Sequence, residues 1–292
     1  ILVLGANGYL GSNILDYCVA KGFNAIGLSR NEIDFLKKKS VCDLIKILNA
    51  NQVVIVTTAI TRSKSDTPDS CFLNLEILKN IINAFQINPP KKIIYLSAAD
   101  VYGMHKENIV ESEAGNPITA YGAFKIFAEN ILFCSLPKSD KICLRIPGVF
   151  GGKNDNSSLI SKFWTMIKND EEIFLSNSGK TKRNYLSVDM LQEAIECFIL
   201  NHVFGSFNLA CTGSIEIRQI VNIISGILKK PPKINFSHEN NPRDFNLSLD
   251  NSLLLKKLPQ LNDYKLKNEL FKYLTDIANK NRLFTNNRSL GN

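Results

Sequence analysis

No segment limits the possible folds of this chain more than Gly5-Ala6-Asn7-Gly8-Tyr9-Leu10-Gly11. It follows directly on the apolar run Ile1–Leu4 and leads into Gly11–Lys21, where Ile14, Tyr17 and Cys18 recur at helical spacing. Without side chains the backbone can turn tightly and approach a pyrophosphate, and the helix that follows offers free N–H groups and partial positive charge. The third glycine lets that helix pack close to the strand. Gly5, Gly8, Tyr9, Leu10 and Gly11 are therefore expected to form a dinucleotide-binding turn.

Downstream, short β-branched runs alternate with longer amphipathic stretches. Strands are expected at Ala25–Leu28, Val53–Thr57, Lys92–Leu96 and Ile142–Ile146, and helices at Val41–Leu48, Phe72–Phe85 and Tyr121–Phe133. The strands are apolar throughout rather than alternating, as strands covered by helices on both faces must be. Repeated β-helix-β units predict an α/β fold with a doubly wound parallel sheet, the Rossmann arrangement. After Gly151-Gly152 the pattern loosens, with helices expected at Leu159–Ile167, Leu191–Leu200 and Ile217–Leu228, a loop over Asn235–Asn246 and a fraying tail. The expected organisation is a cofactor domain over 1–150 with a return segment near 186–210. A smaller C-terminal α/β substrate lobe takes 151–185 and 211–292, closing over the carboxyl ends of the strands.

At 292 residues, no apolar run exceeds four, against the ~20 residues a spanning helix needs. The net charge of +8 is dispersed in short lysine runs without interleaved aromatics, so no nucleic-acid partner is expected. Seven cysteines include no CxxC pair, and Cys134, Cys143 and Cys197 have apolar neighbours; they read as buried free thiols of a cytoplasmic protein. The scattered histidines 105, 202 and 238 predict no metal site. The chain starts at Ile1 rather than at methionine, and a lost upstream segment is expected.

Two further groups carry chemistry. After the second strand, where a free ribose 2′-hydroxyl would want an acidic partner, stand Ser29-Arg30. A guanidinium there can pair with a 2′-phosphate, which favours NADP; the other reading is a surface arginine with the acidic role at Asp34. In Tyr121-Gly-Ala-Phe-Lys125, residues four apart share a helix face, so phenol and ammonium enter one cleft. A phenol with a pKa of ~10 is a poor base, and a neighbouring lysine favours the phenolate and fits it for proton exchange with a hydroxyl or carbonyl. Ser97 closes the preceding strand, and Val101-Tyr102-Gly103 follows. Trp164, Phe163 and Met166 read as packing, and Glu111 and Glu113 as a solvated loop.

Together these residues resemble the extended short-chain dehydrogenase/reductase superfamily, in its NAD(P)-dependent epimerase/dehydratase branch acting on nucleotide-activated sugars. The resemblance runs through Gly5–Gly11, Val53–Ala59, Asn74, Ser97–Gly103, Tyr121–Lys125, Leu144–Gly151, Arg183–Met190 and Phe207–Leu209. It implies Ser97, Tyr121 and Lys125 as the catalytic set. It adds Thr57, Thr58, Ala59, Asn74, Lys125 and Pro147 to the cofactor contacts, with NADP preferred over NAD, and Tyr102, Arg183 and Arg243 on the sugar nucleotide. A homodimer is a further expectation. Two positions depart from the pattern. Ala98 stands where many members carry the catalytic Ser or Thr, and Ser97 is expected to replace it if the strand breaks early. Gly148 stands where some epimerases present an asparagine. The implied activity is a nucleotide-sugar reductase or epimerase; a dehydratase is disfavoured, since only Asp100 is acidic after Ala99. The alternative is an NADP-binding sensor or scaffold with weak catalysis.

Overall fold

A computed structural model describes residues 1–103, 106–237 and 245–289, with the backbone alone at 106 and 281–289. Strand β1 (Leu2–Leu4) runs through the glycine turn into α1 (Tyr9–Ala20), followed by β2 (Ile26–Leu28), α2 (Lys39–Ile47), β3 (Val53–Val56) and α3 (Pro68–Ile87). Then come β4 (Lys92–Ala98), a 3₁₀ turn at Ala99–Tyr102, β5 (Lys106–Ile109), α4 (Ala120–Ser135), β6 (Asp140–Ile146) and β7 (Gly148–Phe150). The rest comprises α5 (Leu159–Lys168), β8 (Glu172–Leu175), β9 (Lys182–Arg183), β10 (Tyr185–Ser187), α6 (Val188–Leu200) and β11 (Gly205–Asn208). It continues through β12 (Ile215–Glu216), α7 (Ile217–Leu228), β13 (Lys233–Phe236), β14 (Leu247–Leu249), α8 (Ser252–Lys257) and α9 (Leu266–Ser289).

Six strands form one parallel sheet in the order β11-β6-β4-β3-β1-β2. The order reverses between β1 and β3, which opens a crevice at their carboxyl ends, the place where open α/β sheets bind ligands. Alternate side chains of each strand enter two cores. Leu2, Leu4, Val54, Val56, Ile93 and Tyr95 pack with α2, α3 and α4, whereas Val3, Ile55, Ile94 and Leu96 pack with α1 and α6. The doubly wound α/β expectation is therefore realised.

Helix starts follow local chemistry. Thr67 caps α3 by accepting the Ser70 N–H at 3.2 Å, with Pro68 at the first helical position. Thr119 caps α4 by accepting from Gly122 N at 2.9 Å, and Ser187 caps α6 by accepting from Met190 N at 3.2 Å. Helix α1 differs, because it begins at Gly8 with no capping side chain.

Smaller sheets carry the rest. Strand β9 lies between β12 and β14, and β14 also pairs with β5, while β13 lies on β8 and β10 on β7. The tail is more regular than expected: α9 runs to Ser289, and Leu266, Leu270 and Leu274 bury one stripe of its first half. The expected loop over 235–246 begins later than its first residue, since β13 continues to Phe236; residues 238–244 lie outside the described residues. Cys143 and Cys197 are buried as expected, but Cys134 is exposed, because it lies on the outer face of α4. Among the described residues no helix is long and apolar enough to cross a membrane.

Candidate active site

The glycine turn fits a dinucleotide. Gly5 has φ +89°, and a Cβ there would stand 2.7 Å from Thr57 Oγ1. A Cβ on Gly11 would stand 2.2 Å from the Gly5 carbonyl oxygen, so α1 can approach β1 only with glycine there. Thr57 stitches the switch point together: its N–H donates to Leu4 O at 3.0 Å and its hydroxyl to the same oxygen at 2.8 Å. Beside it the Thr58 hydroxyl is buried without a hydrogen-bond partner. A buried hydroxyl left in that state is costly, and a polar ligand in the crevice would satisfy it. The uncapped N–H groups of α1 point the same way. Gly5, Gly8, Gly11, Leu10, Thr58 and Ala59 are thus the residues that would hold a pyrophosphate and nicotinamide ribose. Pro147 lies half-buried between β6 and β7.

Several expected contacts are spent elsewhere. The Tyr9 hydroxyl donates to Gly151 O at 2.7 Å, so its backbone faces the turn while its ring ties α1 to the end of β7. Asn74 is buried and bonds both backbone groups of Ile60, accepting from its N–H at 2.7 Å and donating to its carbonyl at 3.0 Å. It braces the segment after β3 and is corrected from a cofactor contact to a support of one. Ser29 is likewise buried, with its N–H donating to Glu32 Oε2 at 2.8 Å and its hydroxyl donating to the same oxygen. Of the expected pair only Arg30 is open, its side chain 76% exposed and 3.6 Å from Asp34. Glu32, which spacing did not single out, adds a carboxylate at this end of β2; its pKa is held below the usual range by the two donors on Ser29.

Tyr121 and Lys125 share the inner face of α4. Gly122 lets the helix approach the 3₁₀ turn after β4, since a Cβ there would stand 2.5 Å from Asp100 O. The Tyr121 N–H donates to Asp66 Oδ1 at 3.1 Å, a second cap from the segment after β3. Lys125 is buried, with its ammonium donating to Leu96 O at 2.5 Å and lying 4.4 Å from the Tyr95 ring centre and 5.4 Å from that of Tyr121. Desolvation, only partly offset by Glu129 below it, lowers its pKa to about 7. Tyr121 is shifted the other way: burial, then the Asp100 charge, raise its pKa, and Arg62 opposes them.

Ser97 is the main correction. Strand β4 stays paired with β6 through Ala98, with Ser97 opposite Arg145 and Ala98 opposite Ile146. The early break that would have turned Ser97 into the cleft does not occur. Its side chain is 1% exposed and its hydroxyl donates to Glu129 Oε1. Adjacent strand residues face opposite sides, so Ala98 points away from Glu129 at the carboxyl end of the strand. Tyr102 is corrected too. It is 4% exposed, donates to Asn208 Oδ1 at 2.7 Å and accepts from Arg145 Nη1 at 2.8 Å, which commits its hydroxyl to a buried network. Glu111, expected in solvent, is half-buried and accepts the Asn208 N–H at 2.8 Å. The centre of this network is the Glu129–Arg145 pair, with Arg145 Nη2 donating to Oε2 at 2.7 Å and Nε donating to the same carboxylate at 3.1 Å. Glu129 follows Lys125 by four residues as Lys125 follows Tyr121, a spacing signal that could have placed it on this face. Arg62 and Asp66 carried no such signal. Arg183 lies on β9 with its guanidinium 4.7 Å from the Phe245 ring centre. Arg243 lies outside the described residues.

Residues 1–210 match the NAD dependent epimerase/dehydratase family. The chain belongs to that family. One curated relative is N-acetyl-alpha-D-glucosaminyl-diphospho-ditrans,octacis-undecaprenol 4-epimerase of Escherichia coli O157:H7, 25% identical over 254 residues, which cover 82% of this chain and 75% of that one. The fold is shared with the UDP-glucose 4-epimerase of Thermotoga maritima solved with UDP-glucose (TM-score 0.82, 19% identity, 97% of this chain and 99% of that one). It is also shared with the dTDP-4-dehydrorhamnose reductase of Bacillus anthracis in complex with NADP (TM-score 0.78, 18% identity, 94% and 98%).

Proposed function

We propose that the chain is an NAD(P)-dependent enzyme that moves a hydride to or from a sugar activated through a nucleoside diphosphate, with Tyr121 exchanging the proton. The observation that carries this reading is the Tyr121/Lys125 pair, docked by Gly122 against the 3₁₀ turn at the end of β4, in a chain whose glycine turn fits a dinucleotide. The bound nicotinamide would supply the hydride chemistry. The chain's own part is to place the Tyr121 hydroxyl, to hold Lys125 beneath it and to keep water from both. By its name the curated relative acts on a sugar joined to undecaprenol through a diphosphate, and the Thermotoga maritima epimerase was solved with UDP-glucose; both support a diphosphate-linked sugar, and the second supports the nucleoside. Residues 151–185 and 211–292 would close over the sugar, with Arg183 toward the diphosphate. Exposed Arg30 favours NADP, although Glu32 and Asp34 place two carboxylates near it. We place the enzyme in the cytoplasm as a homodimer. Incubation with UDP-, dTDP-, GDP- and CDP-sugars tests the reading: keto sugars should oxidise NADPH, faster than NADH, or hydroxyl sugars should be epimerised with NADP+ or NAD+ as the hydride acceptor. Binding of the cofactor with no turnover on any of them would overturn it.

A second reading, a cofactor-binding protein with weak catalysis, is favoured by one observation. Ser97 is committed to Glu129, and Ala98 brings no hydroxyl to the strand end. Ala98→Ser decides between the two. An efficient enzyme that relies on Tyr121 alone should be changed little, whereas a degenerate site should gain ~10-fold or more in turnover from a restored donor.

A further inference from the structure

The segment between β3 and α3 is fastened at two points, one on the Tyr121 helix and one on the 3₁₀ turn that the helix packs against. Asp66 accepts the Tyr121 N–H at 3.1 Å, and Arg62 Nη1 donates to Asp100 Oδ1. Asp100 sits in the 3₁₀ turn, Gly122, the residue after Tyr121, packs against its carbonyl oxygen, and after burial the Asp100 charge raises the Tyr121 pKa. The Arg62–Asp100 pair is partly exposed, the Arg62 side chain 44% and the Asp100 side chain 21%, and therefore lies at the surface, at the rim of this cluster, rather than in the core. Among the described residues, five charged or titratable groups surround Tyr121. Lys125 lies one turn along on its own helix, Tyr95 lies beneath from β4, Asp66 holds its backbone N–H, and Asp100 with Arg62 stand at the rim. Glu129 lies a further turn down, committed to Arg145. Asp100 is thus the rim carboxylate, and a guanidinium covers it.

We propose that Arg62 is a positioning residue for the proton-exchange step: by covering Asp100 it fixes the net charge that the Tyr121 hydroxyl meets, and by the same contact it holds the segment after β3 against the 3₁₀ turn on which the Tyr121 helix packs. This rests on the assignment of Tyr121 above. An uncovered carboxylate beside a phenol disfavours the phenolate, and a guanidinium on that carboxylate cancels most of the effect. The direction in which Asp100 and Arg62 act on Tyr121, upward and downward respectively, agrees with the geometry. No step is added to the reaction. Arg62 touches neither the proton nor the hydride and acts through Asp100.

The test reads the phenol itself. A ring-fluorinated tyrosine incorporated at position 121 is more acidic than tyrosine, so its phenolate absorbance can be titrated in the unliganded full-length protein within a pH range the fold tolerates. Arg62→Met is expected to move that titration upward by ~0.5–1 pH unit, Arg62→Lys to leave it close to the starting value, and Asp100→Asn to move it downward. In the double variant Arg62→Met/Asp100→Asn the upward shift should vanish, because the carboxylate being covered is gone. Circular dichroism identifies any variant that fails to fold, and Arg62→Lys keeps the test open if Arg62→Met does. An unmoved titration in folded Arg62→Met, or an equal upward shift in the double variant, overturns the proposal. Because the readout needs neither sugar nor cofactor, inactivity on every nucleotide sugar would overturn the proposed function and leave this result standing.

Discussion

Lys125 carries an ammonium into a site walled by the rings of Tyr95, Tyr121 and Phe124, with the Leu96 carbonyl as its acceptor. Its pKa in the folded chain, about 7, lies below the ordinary lysine value of 10.5. Between those two values the unfolded chain binds the proton and the folded chain does not, so stability rises with pH across that window. Below about pH 7 both states are protonated and the whole cost of burying the charge is present. Thermal unfolding of the unliganded protein between about pH 6 and about pH 9 should therefore show a rising contribution that Lys125→Met lacks, the variant gaining relative stability on the acid side. Parallel curves for the two proteins would contradict the assignment. Tyr121→Phe removes one hydroxyl from the same face. Turnover should drop ~10²–10⁴-fold with NADPH affinity unchanged in equilibrium titration, the signature of a lost proton exchanger. Ser97 shows the limit of reading single residues. Whether a serine at a strand end faces the cleft or the core depends on where the strand stops, and β6 keeps β4 paired one residue beyond it.

At the scale of elements, the join between α4 and the 3₁₀ turn decides where Tyr121 and Lys125 stand. A methyl group on Gly122 would lie 2.5 Å from the Asp100 carbonyl oxygen and 3.0 Å from Pro117 Cβ, and neither neighbour is a flexible side-chain end. Gly122→Ala must push the helix off the turn, at a cost of ~1–3 kcal/mol from overpacking. Tyr121 and Lys125 would move with it, so turnover should fall further than stability alone explains, measured as kcat beside the unfolding midpoint. A variant with normal kcat would mean that this contact only packs. Elements of this kind were legible where apolar residues recur or run together: the helix over Tyr121–Lys125 shows helical spacing, and the five strands of the main sheet before residue 150 stand out as apolar runs between amphipathic helices. Strands β9 and β12 have two residues each and β14 is interrupted by Ser248, so no apolar run marks them. Their positions come from cross-chain pairing, and from Asn184 and Asn208, which bond backbone groups far away in sequence. The buried Ser97–Glu129–Arg145–Tyr102 network was illegible for the same reason, since its members meet only once β4, α4 and β6 are stacked.

For the whole molecule, the open question of assembly turns on what α3 and α4 leave uncovered. The two helices pack side by side on one face of the sheet and bury Ile77, Leu78, Ile81 and Phe85 with Phe124, Ala128 and Leu132. Their outer sides keep Phe72, Leu73 and Ile87 on α3 and Phe127 and Phe133 on α4 exposed, with Phe72 at 66% and Phe127 at 47%. Single exposed apolar residues are ordinary, but several large ones on two neighbouring helices form the kind of surface that association covers. A two-fold interface would set this surface against its own copy, helix pair on helix pair. The chain of 32.7 kDa should then sediment at about 65 kDa, twice its mass, at micromolar concentration. Phe72→Lys with Phe127→Lys should return it to the monomer by setting like charges against each other in a desolvated interface. Both substitutions lie on outward-facing positions, so the fold and the Tyr121 face of α4 are left intact, and the unfolding transition of the variant should become independent of protein concentration. A wild-type chain that sediments as a monomer would remove the homodimer. A double variant that stays dimeric would place the interface on some other surface of the molecule.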